Sequence, residues 1–229
     1  KSSNNKHGPE FLISGLCEHP ARAKEGPEVC LQQIQDGFML ALKVANLSPL
    51  DVVGVVLDTP GPSSSQGVLS ARGSTNFAHP KWAGFDIRLA LENKLNLPTT
   101  YLNDGNAAAL WGHFSLFGGP KFRQPQLTDK RQTSVSAIIG TGLGGGIVVE
   151  DETVICGRKG FGGELGHVLI PYQSIQGLRD LSRDFRPSCN CGRVGDLESL
   201  CSLTAISKNL LPYFLQKNPA GKAGCFYRS

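Results

Sequence analysis

The amino-acid sequence predicts an α/β fold, because short apolar runs typical of strands alternate with stretches in which apolar residues recur at helical spacing. The clearest strand signal is the β-branched run 51–57, which ends at Thr59-Pro60-Gly61-Pro62. A continuous apolar run of this kind is typical of a parallel strand that is buried on both faces. Two further runs, 99–102 and 134–139, lead into Asn103-Asp104 and into a glycine-rich segment.

Helical patterns fill the stretches between these runs. Gly26-Pro27-Glu28 opens the first pattern, because proline suits the first helical turn. A second helix is predicted within 82–95, with Ile87, Leu91 and Leu95 facing the core. Further helices are predicted over 106–117 and 197–214, and short strands over 146–149 and 167–170. The Pro-, Gln- and charge-rich stretch 118–133 predicts a boundary between an N-terminal lobe, 1–117, and a C-terminal lobe, 118–229.

Composition and charge exclude several classes of function. The chain has 229 residues, 40% of them apolar, and a formal charge of +4. Its basic residues are scattered, so we expect no nucleic-acid partner. The polar N-terminus and the absence of a long apolar run predict a cytoplasmic protein without membrane contact. The seven cysteines are an odd number, which favours reduced thiols.

Asp104 is the candidate catalytic base. It follows a predicted strand and precedes a predicted helix, which places it at the carboxyl edge of a parallel sheet, where ligands bind in open α/β folds. A carboxylate there can accept a proton from a hydroxyl group as that group attacks phosphorus. The alternative is that Asn103-Asp104-Gly105-Asn106 is only a turn and a helix cap.

The glycine segment 140–146, Gly-Thr-Gly-Leu-Gly-Gly-Gly, is the candidate phosphate-binding element. Backbone N–H groups can approach an anion closely where no Cβ intervenes, and Thr141 adds a hydroxyl donor. It is not a Walker A loop, because no Lys-Ser/Thr pair follows, and a strand rather than a helix follows it, unlike a dinucleotide fingerprint. The alternative is a flexible hairpin turn.

A second glycine-rich stretch, 160–167, ends in Glu164 and His167, and Cys189 and Cys191 follow downstream. These residue types indicate a polar site with a metal. With the glycine segment, they indicate phosphoryl chemistry on a hydroxylated small molecule. A zinc-dependent hydrolase that uses Glu164 and His167 is the unrelated alternative, and the absence of H-E-x-x-H spacing disfavours it.

The order of these motifs resembles the ROK family of sugar kinases and sugar-responsive repressors. The residues 103–108 (N-D-G-N-A-A) resemble the family's N-D-A-N-A-A segment, and 140–146 its second phosphate loop. The residues 164–167 form its E-x-G-H signature. The resemblance covers roughly 51–198 and implies an actin-like ATPase (ribonuclease-H-like) fold with two lobes, here incomplete.

The resemblance also implies roles for particular residues. Asp104 would be the general base. The implied sugar contacts are Asn76, Asn103, Asp104, Glu164, His167 and Glu198. The implied phosphate contacts, for ATP with Mg²⁺, are Gly140, Thr141, Gly142, Gly144 and Gly145. For Asn76 a plain turn residue is the alternative.

A structural zinc site is implied with a departure from the family pattern. The pattern C-x-C-G-x-x-G-C-x-E corresponds to residues 189–198, where Asp196 stands in place of the third cysteine. The implied ligands are His167, Cys189, Cys191 and Asp196, with Cys201 as a further candidate. A carboxylate can bind Zn²⁺, but thiolates hold it better, so a mixed site and the loss of zinc both stay open.

The expected function is ATP-dependent phosphorylation of a hexose hydroxyl, as in a glucokinase, with a small-molecule sugar as partner and a homodimer left open. The alternative is a non-catalytic sugar-binding or repressor-type ROK module. The sequence contains no D-x-G-G-T motif, the first phosphate loop of ROK kinases. We therefore expect a chain truncated at both ends, without measurable hexokinase activity of its own.

Overall fold

The computed structural model describes residues 15–70, 77–118, 132–175 and 184–217. The chain divides into two compact units: Lys1–Ser136 with Gly146–Gly163, and Ala137–Gly145 with Glu164–Ser229. The lobe boundary predicted between residues 117 and 118 adjoins a stretch, 119–131, that lies outside the described residues, and it stays a prediction.

The helices and strands follow the predicted alternation. The helices are α1 (Pro27–Ala45), α2 (Ile87–Leu95), α3 (Asp104–His113), α4 (Glu198–Cys201), α5 (Leu203–Ala205) and α6 (Leu211–Lys217). The strands are β1 (Val55–Thr59), β2 (Thr99–Asn103), β3 (Ser134–Ile139), β4 (Leu143–Val149) and β5 (Thr153–Val154).

Helix α1 begins at the proline that its sequence predicts and ends at an asparagine. Pro27 occupies the first helical position, where its missing N–H costs nothing. Asn46 ends the helix in the left-handed conformation and donates its N–H to the carbonyls of Leu42 and Lys43. The apolar side of α1 faces the core of the first unit, with Cys30 and Leu31 buried.

Helix α2 supplies the centre of the first unit's core. The Asp86 carboxylate caps it by accepting the N–H of Leu89 at 2.8 Å. Ile87 and Leu91 are fully buried, as predicted, and Leu95 is half-buried. The core comprises Cys30, Leu31, Leu57, Leu69, Trp82, Ile87, Leu91 and Tyr101.

Strands β1 and β2 pair in parallel, with Thr59 opposite Asn103 at their carboxyl ends. The prediction that the 51–57 run is buried on both faces is wrong. Leu57 and Thr59 are buried, whereas Val56 is 68% exposed. Burial alternates along β1, so the face that carries Leu57 packs on the core and the face that carries Val56 is exposed.

Strands β3, β4 and β5 form a second sheet in that order, and β5 is antiparallel to β4. The glycine segment was predicted as one loop, but only residues 140–142 form the turn between β3 and β4. Gly144, Gly145 and Gly146 lie inside β4.

The second unit has a small aromatic core, in which Tyr172, Phe185 and Leu200 are buried. The strand predicted over 167–170 is wrong: 165–167 form a 3₁₀ turn, and Leu169 makes a single bridge to Asp196. The helix predicted over 197–214 is interrupted at Ser202, whose hydroxyl caps the next helical turn by accepting the N–H of Ala205 at 3.0 Å.

In the part of the chain that the structure describes, no helix combines the length and the apolar character that crossing a bilayer requires.

Candidate functional site

The first candidate site lies at the carboxyl ends of β1 and β2, where the two parallel strands finish side by side. Asn103 ends β2, and its side-chain oxygen caps α3 by accepting the N–H groups of Gly105 at 3.0 Å and Asn106 at 3.4 Å. Asn103 Oδ1 therefore acts as a helix cap, as the alternative interpretation of this segment predicts. A Cβ on Gly61 would lie 2.6 Å from Asn103 Nδ2, so the Pro-Gly-Pro turn after β1 packs directly against this amide.

Asp104 is the first residue of α3, and its side chain is exposed. Partial desolvation by surrounding atoms raises the pKa of Asp104 above the usual aspartate value. The N–H of Gly105, 2.8 Å from Oδ1, opposes this shift, and the nearby charge of Asp58 adds to it. A solvent-accessible carboxylate with a raised pKa is a stronger proton acceptor than an ordinary surface aspartate.

Three buried hydroxyl groups lie next to this edge, and no motif in the sequence predicts them. The Tyr101 hydroxyl lies 2.7 Å from Thr59 Oγ1 and accepts a hydrogen bond from Ser63 Oγ at 2.7 Å. The network ties the carboxyl end of β1 and the turn after it to β2. The contacts join residues 42 and 38 positions apart, which no local pattern reveals.

A small pocket adjoins the hydroxyl network, and every residue that lines it is uncharged. The lining residues are Ser63, Ser64, Ser65, Tyr101, Leu102, Asn103, Asn106, Cys156 and Gly160. The buried amide of Asn106 donates through Nδ2 to the thiol of Cys156 at 3.6 Å, and among the described residues its Oδ1 has no hydrogen-bond partner. The lining thus offers hydrogen bonds without charge.

The second candidate site belongs to the other unit and begins at the turn between β3 and β4. We call residues 140–143 the glycine turn. Its carbonyl oxygens at Gly140 and Thr141 accept the N–H groups of Leu203 at 2.9 Å and Thr204 at 3.2 Å. The glycine turn connects the neighbouring strands β3 and β4, as the hairpin alternative proposes, and it is also held by the start of α5.

Glu198 also holds the glycine turn, through the N–H of its last residue. Its Oε2 accepts the N–H of Leu143 at 2.8 Å, and its Oε1 accepts the thiol hydrogen of Cys189 at 3.3 Å. The family resemblance implies only a sugar contact for Glu198, and nothing local in the sequence signals these bonds.

The four predicted metal ligands converge. One ligand atom from each of His167, Cys189, Cys191 and Asp196 lies within 4.8 Å of all the others. His167 Nδ1 lies 3.0 Å from Asp196 Oδ2 and 3.8 Å from Cys189 Sγ. Cys191 Sγ lies 3.6 Å from the same Asp196 oxygen. Among the described residues, Cys201 is not part of this cluster.

The electrostatics of the cluster centre on Asp196, which is fully buried. Burial raises the pKa of Asp196, but hydrogen bonds from His167, Cys189 and Ser199 outweigh it and hold the pKa below the usual aspartate value. Asp196 Oδ1 accepts the N–H of Ser199 at 2.9 Å, so Oδ2 faces the cluster. Burial is also the largest cause that raises the pKa of the Cys189 thiol.

These residues fit a tetrahedral metal ion. With metal–ligand bonds of about 2.0 to 2.3 Å, neighbouring ligand atoms in a zinc tetrahedron lie roughly 3.3 to 3.8 Å apart. The separations of 3.0, 3.6 and 3.8 Å in the cluster are close to this range. Asp196 thus contributes an anionic oxygen at the position where the family pattern has a thiolate.

Glu164 lies at the edge of this cluster, with its Oε2 4.0 Å from His167 Nε2. Asn76 lies outside the described residues, so its predicted sugar contact stays a prediction. Asn103 and Asp104 belong to the first unit, whereas Glu164, His167, Glu198 and the glycine turn belong to the second.

Comparison with models of protein families matches residues 27–220 to the ROK family. This match covers most of the chain, and the chain belongs to the ROK family. The resemblance inferred from the ordered motifs is therefore confirmed.

Curated relatives include both kinases and a repressor. The chain is 28% identical over 203 residues to the xylose repressor of Caldicellulosiruptor bescii, covering 86% of this chain and 43% of the relative. It is 27% identical to the glucokinase of Halalkalibacterium halodurans, covering 83% and 50%. It is 32% identical to the N-acetylmannosamine kinase of Vibrio cholerae, covering 71% and 46%. The chain spans about half the length of these relatives.

Solved structures agree with the predicted fold. The ROK hexokinase of Thermus thermophilus matches 88% of this chain and 60% of its own, with a TM-score of 0.59 and 27% identity. The ROK glucokinase of Streptomyces griseus, solved with glucose and AMPPNP, matches 86% and 52%, with a TM-score of 0.55 and 22% identity. The chain has the actin-like ATPase fold of ROK sugar kinases, in incomplete form.

Proposed function

We propose that this protein phosphorylates a hydroxyl group of a hexose with ATP when the family's first phosphate loop is present, and that Asp104 is the general base. The observation that carries the proposal is the position of Asp104: an exposed carboxylate at the start of α3, at the carboxyl edge of a parallel sheet, with a pKa raised by desolvation. Ligands bind at such an edge in open α/β sheets.

Asp104 acts on the proton of the attacking hydroxyl group. As the sugar oxygen bonds to the terminal phosphorus of ATP, its proton passes to the Asp104 carboxylate and ADP leaves with the electrons of the broken P–O bond. Asn103 fixes the position of Asp104, because its side-chain oxygen caps the helix that Asp104 begins. Mg²⁺, when bound with ATP, neutralises charge on the phosphates.

The second unit supplies the remaining parts in this proposal. Gly140, Thr141, Gly142, Gly144 and Gly145 contact the phosphates, and Glu164, His167 and Glu198 contact sugar hydroxyls. A carboxylate suits this task because it can accept hydrogen bonds from two adjacent hydroxyl groups. Zinc in the cluster of His167, Cys189, Cys191 and Asp196 would brace the segments that carry these residues.

The names of the relatives favour a second candidate function. The xylose repressor aligns with 86% of this chain, so a sugar-binding module of a transcriptional regulator shares the same scaffold. Such a protein would bind sugar without transferring phosphate. The two candidates therefore differ in whether ATP is consumed.

An assay that couples ADP release to a dye tests the proposal, with ATP, Mg²⁺ and glucose, mannose or N-acetylmannosamine. It is run on the 229-residue chain and on the same chain joined to an upstream segment that carries the family's D-x-G-G-T motif. We expect turnover in the joined protein and none in the chain alone. Sugar binding by calorimetry without ADP release in the joined protein would favour the regulator.

A further inference from the structure

Glu198 makes a bond that a sugar contact does not need. Its Oε2 accepts the N–H of Leu143, a residue that is 5% exposed and that ends the glycine turn. This bond is partly buried, and hydrogen bonds to a charged acceptor are among the stronger single contacts in a protein. This bond joins residues 55 positions apart and fixes the end of the turn to the start of α4.

The glycine at position 142 leaves room for this contact. A Cβ on Gly142 would lie 2.8 Å from Glu198 Oε2, so any larger residue at that position would require the carboxylate to shift. The carbonyl groups of Gly140 and Thr141 in addition accept the N–H groups of the first two residues of α5. One segment, 198–204, thus bonds to the turn both at an N–H group and at two carbonyl groups.

We propose that Glu198 is a positioning residue for the glycine turn. The inference rests on the proposed function in assigning phosphate binding to that turn. Glu198 holds Leu143 so that the backbone N–H groups of Thr141 and Gly142 are presented in a fixed geometry. Leu143 N–H is itself committed to the carboxylate, and Gly140 N–H donates to the carbonyl of Gly142 at 2.9 Å. Within the turn, the N–H contacts to phosphate therefore fall on Thr141 and Gly142.

Glu198 also joins the turn to the metal cluster. Its second oxygen accepts the Cys189 thiol hydrogen. Glu198 also begins α4, in which the next residue, Ser199, donates its N–H to Asp196 Oδ1. The segment that carries the cluster and the segment that carries the turn thus meet at one side chain, within one unit.

Residue-resolved amide hydrogen exchange on the 229-residue chain measures the positioning without any reference to catalysis. Glu198→Ala removes the acceptor, and we expect the Leu143 amide to exchange at least about tenfold faster, because a hydrogen bond to a charged group is lost. Glu198→Gln keeps a carbonyl acceptor and should leave the rate within about threefold. Glu150→Ala, which removes an exposed glutamate of the other unit, is the matched control and should change nothing.

The amides of α1 and α2 report whether each variant still folds. If Glu198→Ala unfolds, Glu198→Asp decides, because its carboxylate is one methylene too short to reach Leu143 and should speed exchange in a folded chain. Unchanged Leu143 exchange in a folded Glu198→Ala or Glu198→Asp variant would overturn the inference.

Titration of the same variants with AMPPNP and Mg²⁺ separates this inference from the proposed function. We expect Glu198→Ala to weaken binding and Glu198→Gln to bind at least as tightly as the wild type, because it keeps the bond and removes a negative charge beside the phosphates. Faster Leu143 exchange with no AMPPNP binding by any variant would support the positioning role and count against phosphate binding. AMPPNP binding that Glu198→Ala leaves unchanged would overturn the positioning of phosphate.

Discussion

The two candidate sites are built in different ways. Asp104 stands where a regular strand meets a regular helix, above a core in which Trp82, Ile87 and Leu91 are almost wholly buried. The cluster around Asp196 lies among short turns and is held by side-chain contacts, with three buried residues in its unit's core. The first geometry follows from backbone structure, whereas the second depends on contacts among a few side chains.

The largest effect is expected at the base. Asp104→Asn keeps the size of the side chain and removes its ability to take a proton, so turnover of the joined protein should fall by about two to four orders of magnitude. Sugar affinity, measured by calorimetry, should change little. Near-normal turnover in this variant would exclude Asp104 as the base.

The next largest effect is expected in the core of the first unit, on the free energy of unfolding. Trp82 is 1% exposed and donates its indole N–H to the carbonyl of Ala23 at 2.7 Å. Trp82→Ala should lower the free energy of unfolding by about 3 to 5 kcal/mol, measured by urea denaturation. Leu50→Ala, which truncates a side chain that is 97% exposed, is the control. Equal effects of the two variants would show that the core is not where we place it.

In the cluster of candidate metal ligands, loss of a single thiol should weaken zinc binding. Purified protein should contain at most one zinc ion per chain, and Cys191→Ser should lower zinc affinity by more than about tenfold, because a thiolate ligand is lost. Competition with a coloured chelator measures this. Cys201→Ser should retain the affinity, since Cys201 lies outside the cluster. Stoichiometric zinc in Cys191→Ser would show that the ligand set is wrong.

The smallest effect is a shift in pH dependence. Asp104 must be deprotonated to act, so turnover should fall as the pH drops through its raised pKa. Asp58→Asn removes one cause of that raised pKa, so the acidic limb of the kcat/KM profile should move to lower pH, by less than about one unit. Turnover at pH 8 should stay the same. A shift to higher pH would contradict the electrostatics assigned to Asp104.

The same contrast explains what the sequence could predict. Helices α1 and α2 and strand β2 follow from local periodicity and caps, and so does the delivery of Asp104 to a sheet edge. The one-sided exposure of β1 does not follow, because a continuous apolar run carries no information about which face is covered.

In the second unit, local patterns were less informative. The predicted strand over 167–170 failed because 165–167 form a 3₁₀ turn and the backbone pairing that follows is limited to one bridge, between Leu169 and Asp196. The contact between Glu198 and Leu143 joins distant segments, so only the folded structure reveals it. The same is true of the hydroxyl network at Tyr101 in the first unit.

The most direct test of the central claim is the fate of the phosphate, followed by ³¹P nuclear magnetic resonance. The joined protein is mixed with ATP, Mg²⁺ and a hexose, beside its Asp104→Asn variant. The proposed function predicts equal amounts of ADP and a sugar phosphate monoester with the wild type, and almost none with the variant. ATP that stays intact while the sugar is bound would contradict the kinase.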